Sequence, residues 1–425
     1  MMKNSVFNPN WKTITLGDLE AQGSVLLGRG NIISKIDIEK KPGDFPVYSS
    51  SIHKNGVFGR YGEFMFDEEL ITWSVDGGGN FFHRPRHKYS VTNVSGYIKV
   101  NNQNRVNCQF LYYVLDWQHS FLSFDYTVKA HPSVIRPLYE IPLIDIKEQS
   151  KIAEVLSTID RAIAQTDALI AKHQRIKTGL MQDLLTRGID EHGQLRDLST
   201  HKFKSTPLGM IPVEWEESNL GKISHRITSG SRWWARYYSD TGAKFIRIGN
   251  LTREHVNLRF ENLQHVQPPD SSEAKRTVLE TGDVLISVTA DLGIIGVVPS
   301  DLGEAYINQH IALVKLDKEK HNSYFIGNLL SGFQAQKYFS LLNDSGAKAG
   351  LNLKTIAAFP VVLPDKEEQD RIAEVILKAD KIIQAKKIER KKLLGIKSGL
   401  MQDLLSGEVS VTPLMENHEA KYATK

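Results

Sequence analysis

The chain has 425 residues, a formal net charge of +4 and a single cysteine, Cys108. One cysteine excludes a disulfide framework and a zinc site built on several cysteines, which favours a reducing compartment. No window approaches the roughly 18 uninterrupted apolar residues of a membrane span, and the N-terminal residues lack an apolar segment of signal-peptide length. We therefore expect a cytoplasmic protein that does not contact a membrane.

Residues 1–147 are predicted to form a first globular domain. Short β-branched and aromatic runs separated by glycine clusters are typical of a strand-rich domain with long loops, and Trp11-x4-Leu16-Gly17 opens this stretch. A helix is predicted from about residue 109 to about residue 124 because apolar side chains recur there at helical spacing.

A long helix, the first helical spacer, is predicted at 148–187. Its apolar residues recur every three or four positions, which places them on one stripe of a helix. A helix of about 38 residues is roughly 57 Å long, so its stripe needs an equally long partner. The residues predicted to pack are Ile152, Leu156, Ile159, Ile163, Ile170, Leu180 and Leu184, with Leu169 and Ile176 on the same stripe.

The second half of the chain repeats the first. A linker at 188–212 leads to a second globular domain at 213–366, which opens with Trp215-x4-Leu220-Gly221. Asn93 and Asn308 occupy corresponding positions, 215 residues apart. A second helical spacer follows at 367–407, and the polar tail at 408–425 is expected to be disordered.

The two spacers are copies of one segment. Gln149 and Gln369 are 220 positions apart, and this offset holds without a gap to the seven identical residues that end each copy, 179–185 and 399–405. A repeat on this scale fixes the architecture. The predicted packing residues of the second copy are Ile372, Ile376, Ile383, Leu393, Leu400 and Leu404, with Ile396 on the same stripe.

These observations predict an α+β fold. Two strand-rich domains with helices, related by an approximate two-fold axis, would be separated by two long antiparallel helices that form a coiled coil. The alternative is two ordinary amphipathic helices in separate cores. A chain with internal two-fold symmetry suits a pseudo-palindromic duplex, or two copies of one partner.

The motifs together resemble the specificity subunit of type I restriction-modification systems. They are the paired Glu-Gln-x-x-Ile-Ala-Glu-Val helices ending in Gly-Leu-Met-Gln-Asp-Leu-Leu, the Trp-x4-Leu-Gly openings, the segments 43–48, 245–250 and 282–287, and the Ile-Pro and Phe-Pro strands before Glu-Gln. The resemblance covers nearly the whole chain, from Trp11 to Gly407.

This resemblance implies two target recognition domains that each read one half of a bipartite double-stranded DNA site. It implies docking of two modification subunits, which carry the methyltransferase chemistry, and of restriction subunits with translocase and nuclease activity. S-adenosylmethionine, ATP and Mg²⁺ would belong to those partners, and no cofactor is expected in this chain.

Catalytic motifs are absent from the sequence. It contains neither a Gly-x4-Gly-Lys-Ser/Thr phosphate loop nor a His-Glu-x-x-His metal motif, so no catalytic residue or metal site is expected. Two other hypotheses stay open at this point. One is a self-sufficient, type II-like restriction and methylation protein, and the other is a helical scaffold for protein partners that does not bind DNA.

In the second domain, candidate DNA contacts cluster at 229–238, where two arginines lie among four aromatic residues. Base readout needs polar side chains on loops, and further basic groups hold phosphates. The alternative is that Trp233 or Tyr237 fills the core while the arginines are solvated. The candidates are Ser231, Arg232, Trp233, Trp234, Arg236, Tyr237, Asn308, Gln309, Lys348 and Asn352.

In the first domain, candidate contacts lie in two segments rich in basic and small polar residues. The second segment, 82–88, is alternatively an exposed basic hairpin tip. The candidates are Ser50, Ser51, His53, Lys54, Asn55, Arg60, His83, Arg84, Arg86 and Lys88.

Overall fold

The structure is a computed structural model that describes residues 6–416 except 52, 77, 123–128, 231 and 345–350. It divides into two compact units, Met1–Asp167 with Ile388–Lys425, and Ala168–Lys387. Each unit contains one globular domain and part of both long helices. Within the described residues, we find no helix that is both long and apolar enough to cross a membrane.

The first unit is a mixture of short strands and helices. Its elements are β1 (Thr13–Thr15), α1 (Leu16–Ala21), β2 (Val25–Arg29), α2 (Lys35–Lys40), β3 (Phe45–Tyr48), β4 (Val57–Tyr61), β5 (Phe66–Asp67), β6 (Leu70–Ser74), β7 (Phe81–Arg84), β8 (Lys88–Val91), β9 (Ser95–Val100), α3 (Cys108–His119), α4 (Pro132–Ile135), β10 (Glu140–Pro142) and the beginning of α5 (Ile146–Leu184).

The second unit has a closely similar order. Its elements are β11 (Phe203–Thr206), β12 (Gly209–Pro212), β13 (Glu216–Asn219), β14 (Ser224–Ser229), β15 (Tyr238–Ser239), β16 (Ala243–Ile246), β17 (Gln264–Val266), α6 (Ser272–Thr277), β18 (Val284–Ser287), β19 (Ile295–Val297), β20 (Ala305–Ile307), β21 (Ile311–Leu316), α7 (Ser323–Ser331), α8 (Phe333–Asp344), α9 (Leu353–Ala357), β22 (Pro360–Leu363) and the beginning of α10 (Lys366–Ser406).

The sheets show that the two domains share most of their topology and differ in one edge strand of the second sheet, β5 in the first domain and β15 in the second. An antiparallel sheet has the order β2-β9-β6-β7 in the first domain and β14-β21-β18-β19 in the second. A second four-stranded sheet in each domain contains one parallel pair, β3 with β8 and β16 with β20. A short antiparallel pair, β1 with β10 or β13 with β22, precedes each long helix. The predicted α+β class is therefore confirmed.

Each core combines a domain with both long helices. In the first unit, Trp73 and Phe110 of the domain pack in one cluster with Leu156 of α5 and Leu404 of α10. In the second unit, Leu184 of α5 and Ile372 of α10 belong to the cluster that surrounds Trp215 and Phe325. Burying a large apolar side chain contributes roughly 1.5 to 3 kcal/mol, so these clusters hold the helices to the domains.

The glutamine of the repeated Glu-Gln motif fastens each long helix to its domain. Gln149 is 2% exposed and Gln369 is 1% exposed. The Oε1 atom of Gln149 accepts from the backbone N–H of Asn107 at 2.9 Å, and that of Gln369 accepts from Asn322 at 2.9 Å. Because a buried amide must satisfy its hydrogen bonds, both copies need glutamine here.

Two ion pairs together show that α5 and α10 run antiparallel, because in each pair an early position of one helix meets a late position of the other. In the first unit the Lys397 ammonium lies 2.7 Å from the Asp160 carboxylate. In the second, Lys177 lies 2.6 Å from Asp380. Asp380 is the repeat counterpart of Asp160, and Lys397 is that of Lys177. The duplication therefore places the same two residue types opposite each other twice, with their helices exchanged.

Most predicted packing residues face the helix pair or a domain. Eight are buried and five are half-buried. The buried ones are Ile152, Leu156, Ile170, Leu184, Ile372, Ile376, Ile383 and Leu404, and the half-buried ones are Ile159, Ile163, Leu180, Leu393 and Leu400. The prediction was wrong for Leu169, Ile176 and Ile396, which are 39%, 45% and 50% exposed, because a three-to-four spacing cannot define one narrow face over ten turns.

The linker and the tail both pack against the domains. In the linker, Ile189 and Ile211 are 4% and 0% exposed, and the two guanidinium Nη atoms of Arg196 lie 2.6 and 2.9 Å from the Glu368 carboxylate. The expectation of disorder from residue 408 was wrong for 408–416, because Val411 is 2% exposed within the first unit's core. Residues 417–425 lie outside the described part.

The two equivalent ion pairs differ in burial, which predicts different costs for losing the lysine. Lys177 and Asp380 are 8% and 4% exposed, whereas Lys397 and Asp160 are 20% and 34% exposed. Lys177→Ala should lower the free energy of unfolding by about 3 to 5 kcal/mol because it leaves a buried, unpaired carboxylate. Lys397→Ala should lower the free energy of unfolding by only about 1 kcal/mol, because solvent screens the Asp160 carboxylate. That carboxylate also still accepts a hydrogen bond from the Tyr113 hydroxyl at 2.7 Å.

Urea unfolding of the full-length chain measures both losses. The double variant Lys177→Ala/Asp380→Ala should recover part of the loss, since no charge then stays buried without a partner. Equal losses at Lys177 and Lys397 would contradict this interpretation.

Candidate nucleic-acid interface

In the second domain, three segments meet at one end of the antiparallel sheet. The backbone N–H of Gly230, just after β14, donates to Ile311 at 3.1 Å. Val288, just after β18, donates to His310 at 3.0 Å, and Leu351 donates to Val288 at 3.0 Å. These bonds bring together the predicted segments around Arg232, Asn308 and Asn352, which are far apart in sequence. We call this edge the loop end.

Gly230 is required by a close backbone approach. A Cβ atom at this position would lie 2.0 Å from the carbonyl oxygen of Asn308, so no larger residue fits. Gly30 stands at the corresponding place in the first domain, where a Cβ would lie 2.1 Å from the carbonyl oxygen of Val91. Both domains therefore begin the same loop with a glycine packed against the end of a strand.

The loop after Gly230 is held from inside the domain. Trp234 is 2% exposed, and its indole stacks on Phe245 at 5.8 Å between ring centroids. Its Nε1–H donates to the Glu273 carboxylate at 3.3 Å, and the backbone N–H of Arg232 donates to the other oxygen of Glu273 at 3.2 Å. Trp234 is therefore a core residue, which corrects its prediction as a DNA contact.

The same loop exposes three of its predicted residues, Arg232, Trp233 and Arg236. Trp233 is 81% exposed with a positive φ of 62°. The side chains of Arg232 and Arg236 are exposed. Arg236 lies over the half-buried Tyr237 ring, 5.2 Å from its centroid. The alternative is wrong for Trp233, because its neighbour Trp234 fills the core instead. It holds in part for Tyr237, which is half-buried against the cluster around Trp234 while the two arginines are exposed.

Asn308 and Gln309 form the neighbouring turn with His310. The Asn308 side chain accepts from the backbone N–H of His310 at 3.2 Å, and the His310 ring nitrogens lie 2.7 Å from the Thr289 hydroxyl and 3.0 Å from the Gln309 amide nitrogen. Both predicted residues are half-buried, so their amide groups are oriented by the turn. Polar groups held in this way can distinguish base edges.

Asn352 has a local structural role. Its side-chain oxygen accepts from the Thr355 N–H at 2.9 Å and caps α9, which leaves its exposed amide N–H groups as donors. Ser231 and Lys348 lie outside the described residues, as do the side chains of His53 and Lys54 in the first domain.

The predicted residues of the first domain lie at two different places. Ser50 and Ser51 follow β3 after Ser49, and the carbonyl of Tyr48, the last residue of β3, accepts from the N–H of Thr92. Asn55 has an exposed side chain and a positive φ of 54° in the turn that leads to β4. These three residues are therefore close to the edge that corresponds to the second domain's loop end.

Arg60, Arg86 and Lys88 lie toward the other end of that second sheet. Arg60 pairs across β3 with Pro46, and its Nη1 donates to the Asp44 carbonyl at 2.7 Å. Lys88 begins β8, which ends at the edge of the first domain that corresponds to the second domain's loop end. The segment 85–87 joins strands of two different sheets, so the alternative of a hairpin tip is wrong.

Arg84 is buried, which corrects its prediction as a DNA contact. It is 1% exposed, and its guanidinium donates to Thr72 Oγ1 at 3.0 Å and to the Asn55 carbonyl at 2.9 Å. It lies 3.8 Å from the centroid of the Tyr48 ring. Burial lowers the pKa of Arg84 to about 10. The side chain ties the 53–56 turn to the sheet and cannot reach a base edge from this position.

One group of possible metal ligands occurs among the described residues. Ligand atoms of Glu69, His83 and Cys108 lie within 4.8 Å of one another. The His83 Nε2 atom is already 2.6 Å from the Glu69 carboxylate, and burial raises the pKa of the Cys108 thiol far above its usual value. A direct His–Glu contact and a protonated thiol do not form a ready metal site.

Sequence reasoning missed residues that support the loops. Glu273 holds the Trp234 segment, and the Arg276 guanidinium donates to the Ser229 carbonyl at 2.9 Å. In the first domain it missed Asn31 and Ile32, which follow Gly30.

The predicted correspondence of Asn93 with Asn308 was wrong by one residue. Thr92 is the counterpart of Asn308, because the N–H of Thr92 donates to the Tyr48 carbonyl at the end of β3 and the N–H of Asn308 donates to the Ile246 carbonyl at the end of β16.

Comparisons with known proteins agree with this architecture. Residues 8–172 and 212–394 match the model of the type I restriction modification DNA specificity domain. The chain is 24% identical over 420 residues to the type I restriction enzyme MjaVIII specificity subunit of Methanocaldococcus jannaschii, covering 95% of this chain and 94% of that protein.

Two solved structures share the fold. The S subunit of a type I restriction-modification system from M. genitalium has a TM-score of 0.64 at 18% identity, covering 95% of this chain and 97% of that one. A chain from a structural study of type I complex assembly and conformational transition has a TM-score of 0.50 at 17% identity, covering 95% and 99%. With two matched domains that span most of its length, the chain belongs to the type I restriction-modification DNA specificity subunits.

Proposed function

We propose that each globular domain reads one half of a bipartite double-stranded DNA target and that this chain performs no catalysis itself. The observation that carries the proposal is the pair of corresponding loop ends. Gly30 and Gly230 begin the loop in both domains, and each packs against corresponding carbonyl oxygens, those of Thr92 and Asn308. The exposed side chains that follow are different. Two domains that recognise different base sequences need the same supporting fold and different exposed side chains on it.

The long helices connect the two readers. Both α5 and α10 continue without interruption from one unit into the other. We infer that they set the number of base pairs between the two half-sites, since a helix fixes a length of about 1.5 Å per residue.

The partners would be two methyltransferase subunits, together with restriction subunits. S-adenosylmethionine, ATP and Mg²⁺ would be bound by those subunits and not by this chain. Support for two identical partners comes from Ile176 and Ile396, which are counterparts in the repeat and are 45% and 50% exposed. The same apolar side chain exposed once in each copy suits the docking of two copies of one protein. No comparison favours a self-sufficient enzyme or a scaffold that does not bind DNA.

Replacing Arg232 and Arg236 with alanine should impair recognition of one half-site and leave the other unchanged. Both side chains are exposed on one reader, and each lost base contact should cost about 1 to 3 kcal/mol. Methylation of DNA libraries randomised in one half-site at a time, by the chain assembled with its methyltransferase subunits, measures this effect.

Lys320→Ala is the matched control. The Lys320 side chain is 76% exposed and follows β21, at the end of the sheet opposite Gly230, as the pairing of β14 with β21 shows. This variant should methylate like the wild type. An equal loss at both half-sites in the arginine variant, with the fold intact, would contradict the assignment of the loop to one reader.

Introducing a charge at the exposed isoleucines should change the number of bound partners. Ile176→Glu and Ile396→Glu should each bind one methyltransferase subunit in place of two, because a carboxylate cannot enter an apolar contact without cost. Native mass spectrometry of the assembled complex counts the subunits. Thr178→Glu and Ser398→Glu, two positions further along each helix and so on another face, are controls that should bind two. Two partners on the double isoleucine variant would refute this docking site.

A further inference from the structure

The loop that follows the close-packed glycine presents one strongly exposed apolar side chain in each domain. Trp233, three residues after Gly230, is 81% exposed. Ile32, two residues after Gly30, is 80% exposed. Large apolar groups exposed to this degree cost solvation free energy, and both occur in the loop that follows the first strand of the antiparallel sheet, β2 or β14.

The backbone at Trp233 is unfavourable for a large side chain. Its φ of 62° and ψ of 15° lie in the left-handed region, which costs a bulky L-residue free energy and which glycine adopts freely. Strain of this kind persists where the surroundings impose it and is concentrated at ligand-binding sites. Here the buried Trp234 and the carboxylate of Glu273 fix the residues on either side, so the indole of Trp233 is held outward.

Ile32 is also held by its neighbours. The N–H of Asn31 donates to the Val91 carbonyl at 3.0 Å, and Ser34 caps α2 by a reciprocal pair of hydrogen bonds with Asp37. The residues on both sides of Ile32, Asn31 and Ser34, are therefore held in place by hydrogen bonds. A side chain presented in this way loses little conformational entropy when it binds.

Basic side chains are close in sequence to both apolar groups. Arg232 and Arg236 flank Trp233, and Lys35 follows Ile32 by three residues; all three side chains are exposed. A ligand that accepts an apolar wedge beside positive charges has flat apolar faces and an anionic backbone. Nucleic acid has this combination, and apolar wedges inserted between base steps are a known mode of binding.

We propose that Trp233 and Ile32 each insert between adjacent base pairs, one in each half-site, and open that step. This inference rests on the proposed function, since it assumes that each domain contacts a half-site. The partial unstacking would favour flexible pyrimidine–purine steps and would add selectivity without a hydrogen bond to a base edge.

A protein contact is the alternative ligand for the same side chains. The two residues differ, one aromatic and one aliphatic, although the domains that carry them correspond. Two copies of one protein partner would meet equal side chains, as they do at Ile176 and Ile396. Unequal side chains agree better with two different base steps.

Fluorescence of 2-aminopurine, which rises when the base is unstacked, tests the proposal. Once the target has been identified, the analogue is placed at successive positions of duplexes bound by the chain with its methyltransferase subunits. The wild type should show one bright step in each half-site. Trp233→Ala should abolish the bright step in one half only and weaken binding roughly tenfold, and Ile32→Ala should abolish the other.

Two further variants are controls. Trp233→Phe, which keeps a flat ring, should retain the bright step. Phe333→Ala removes another exposed aromatic side chain of the same unit, 76% exposed, and should change nothing. Thermal unfolding should show that Trp233→Ala is folded and no less stable than the wild type, because the strained residue makes few internal contacts.

The outcomes separate the wedge from the proposed function. Specific binding by the wild type with a bright step that survives Trp233→Ala would overturn the wedge alone. Loss of methyltransferase subunits from Trp233→Ala would overturn it in favour of a protein contact. A wild-type complex with no preference for any DNA sequence would overturn both proposals.

Discussion

The pairing of α5 with α10 is the constraint on which both units depend. Lys177 and Asp380 in one unit, and Lys397 and Asp160 in the other, are the same two repeat positions with the helices exchanged. Antiparallel copies of one segment produce this arrangement automatically, because each lysine then meets the aspartate of the other copy. Each domain packs on the start of one helix and the end of the other, so neither domain has a complete core without both copies.

The duplication also separates what the chain must keep from what it can vary. The side chains of Gln149 and Gln369 accept hydrogen bonds from the backbone of their domains. Gly30 and Gly230 lie too close to a neighbouring backbone to carry a Cβ atom. Substitution of any of these four residues would disturb the domain itself. The exposed residues just after those glycines meet solvent and are free to differ. If the loop ends read DNA as proposed, recognition of a new sequence would require changes there and not in the framework that supports them.

The sequence allowed accurate prediction where one residue pattern decides the structure. Identical segments at a fixed offset predicted two long helices, and an approximate two-fold axis between the two copies predicted their antiparallel pairing. The sequence was less informative where contacts between segments distant in the chain determine whether a side chain is buried. Arg84 lies in a run of basic residues, and only the assignment of β7 and β8 to different sheets shows that it is buried. Trp233 and Trp234 are neighbours in an irregular loop, where no periodicity distinguishes the exposed ring from the buried one. The contact of Trp234 with Glu273, distant in sequence, makes that distinction.

The most direct measurement is methylation-sensitive sequencing of DNA modified by this chain together with its methyltransferase subunits. Two domains that share most of their topology, joined by continuous helices, predict a motif of two short specified blocks with different sequences, separated by a fixed number of unspecified bases. A single uninterrupted motif, or specified blocks at variable separation, would contradict the account.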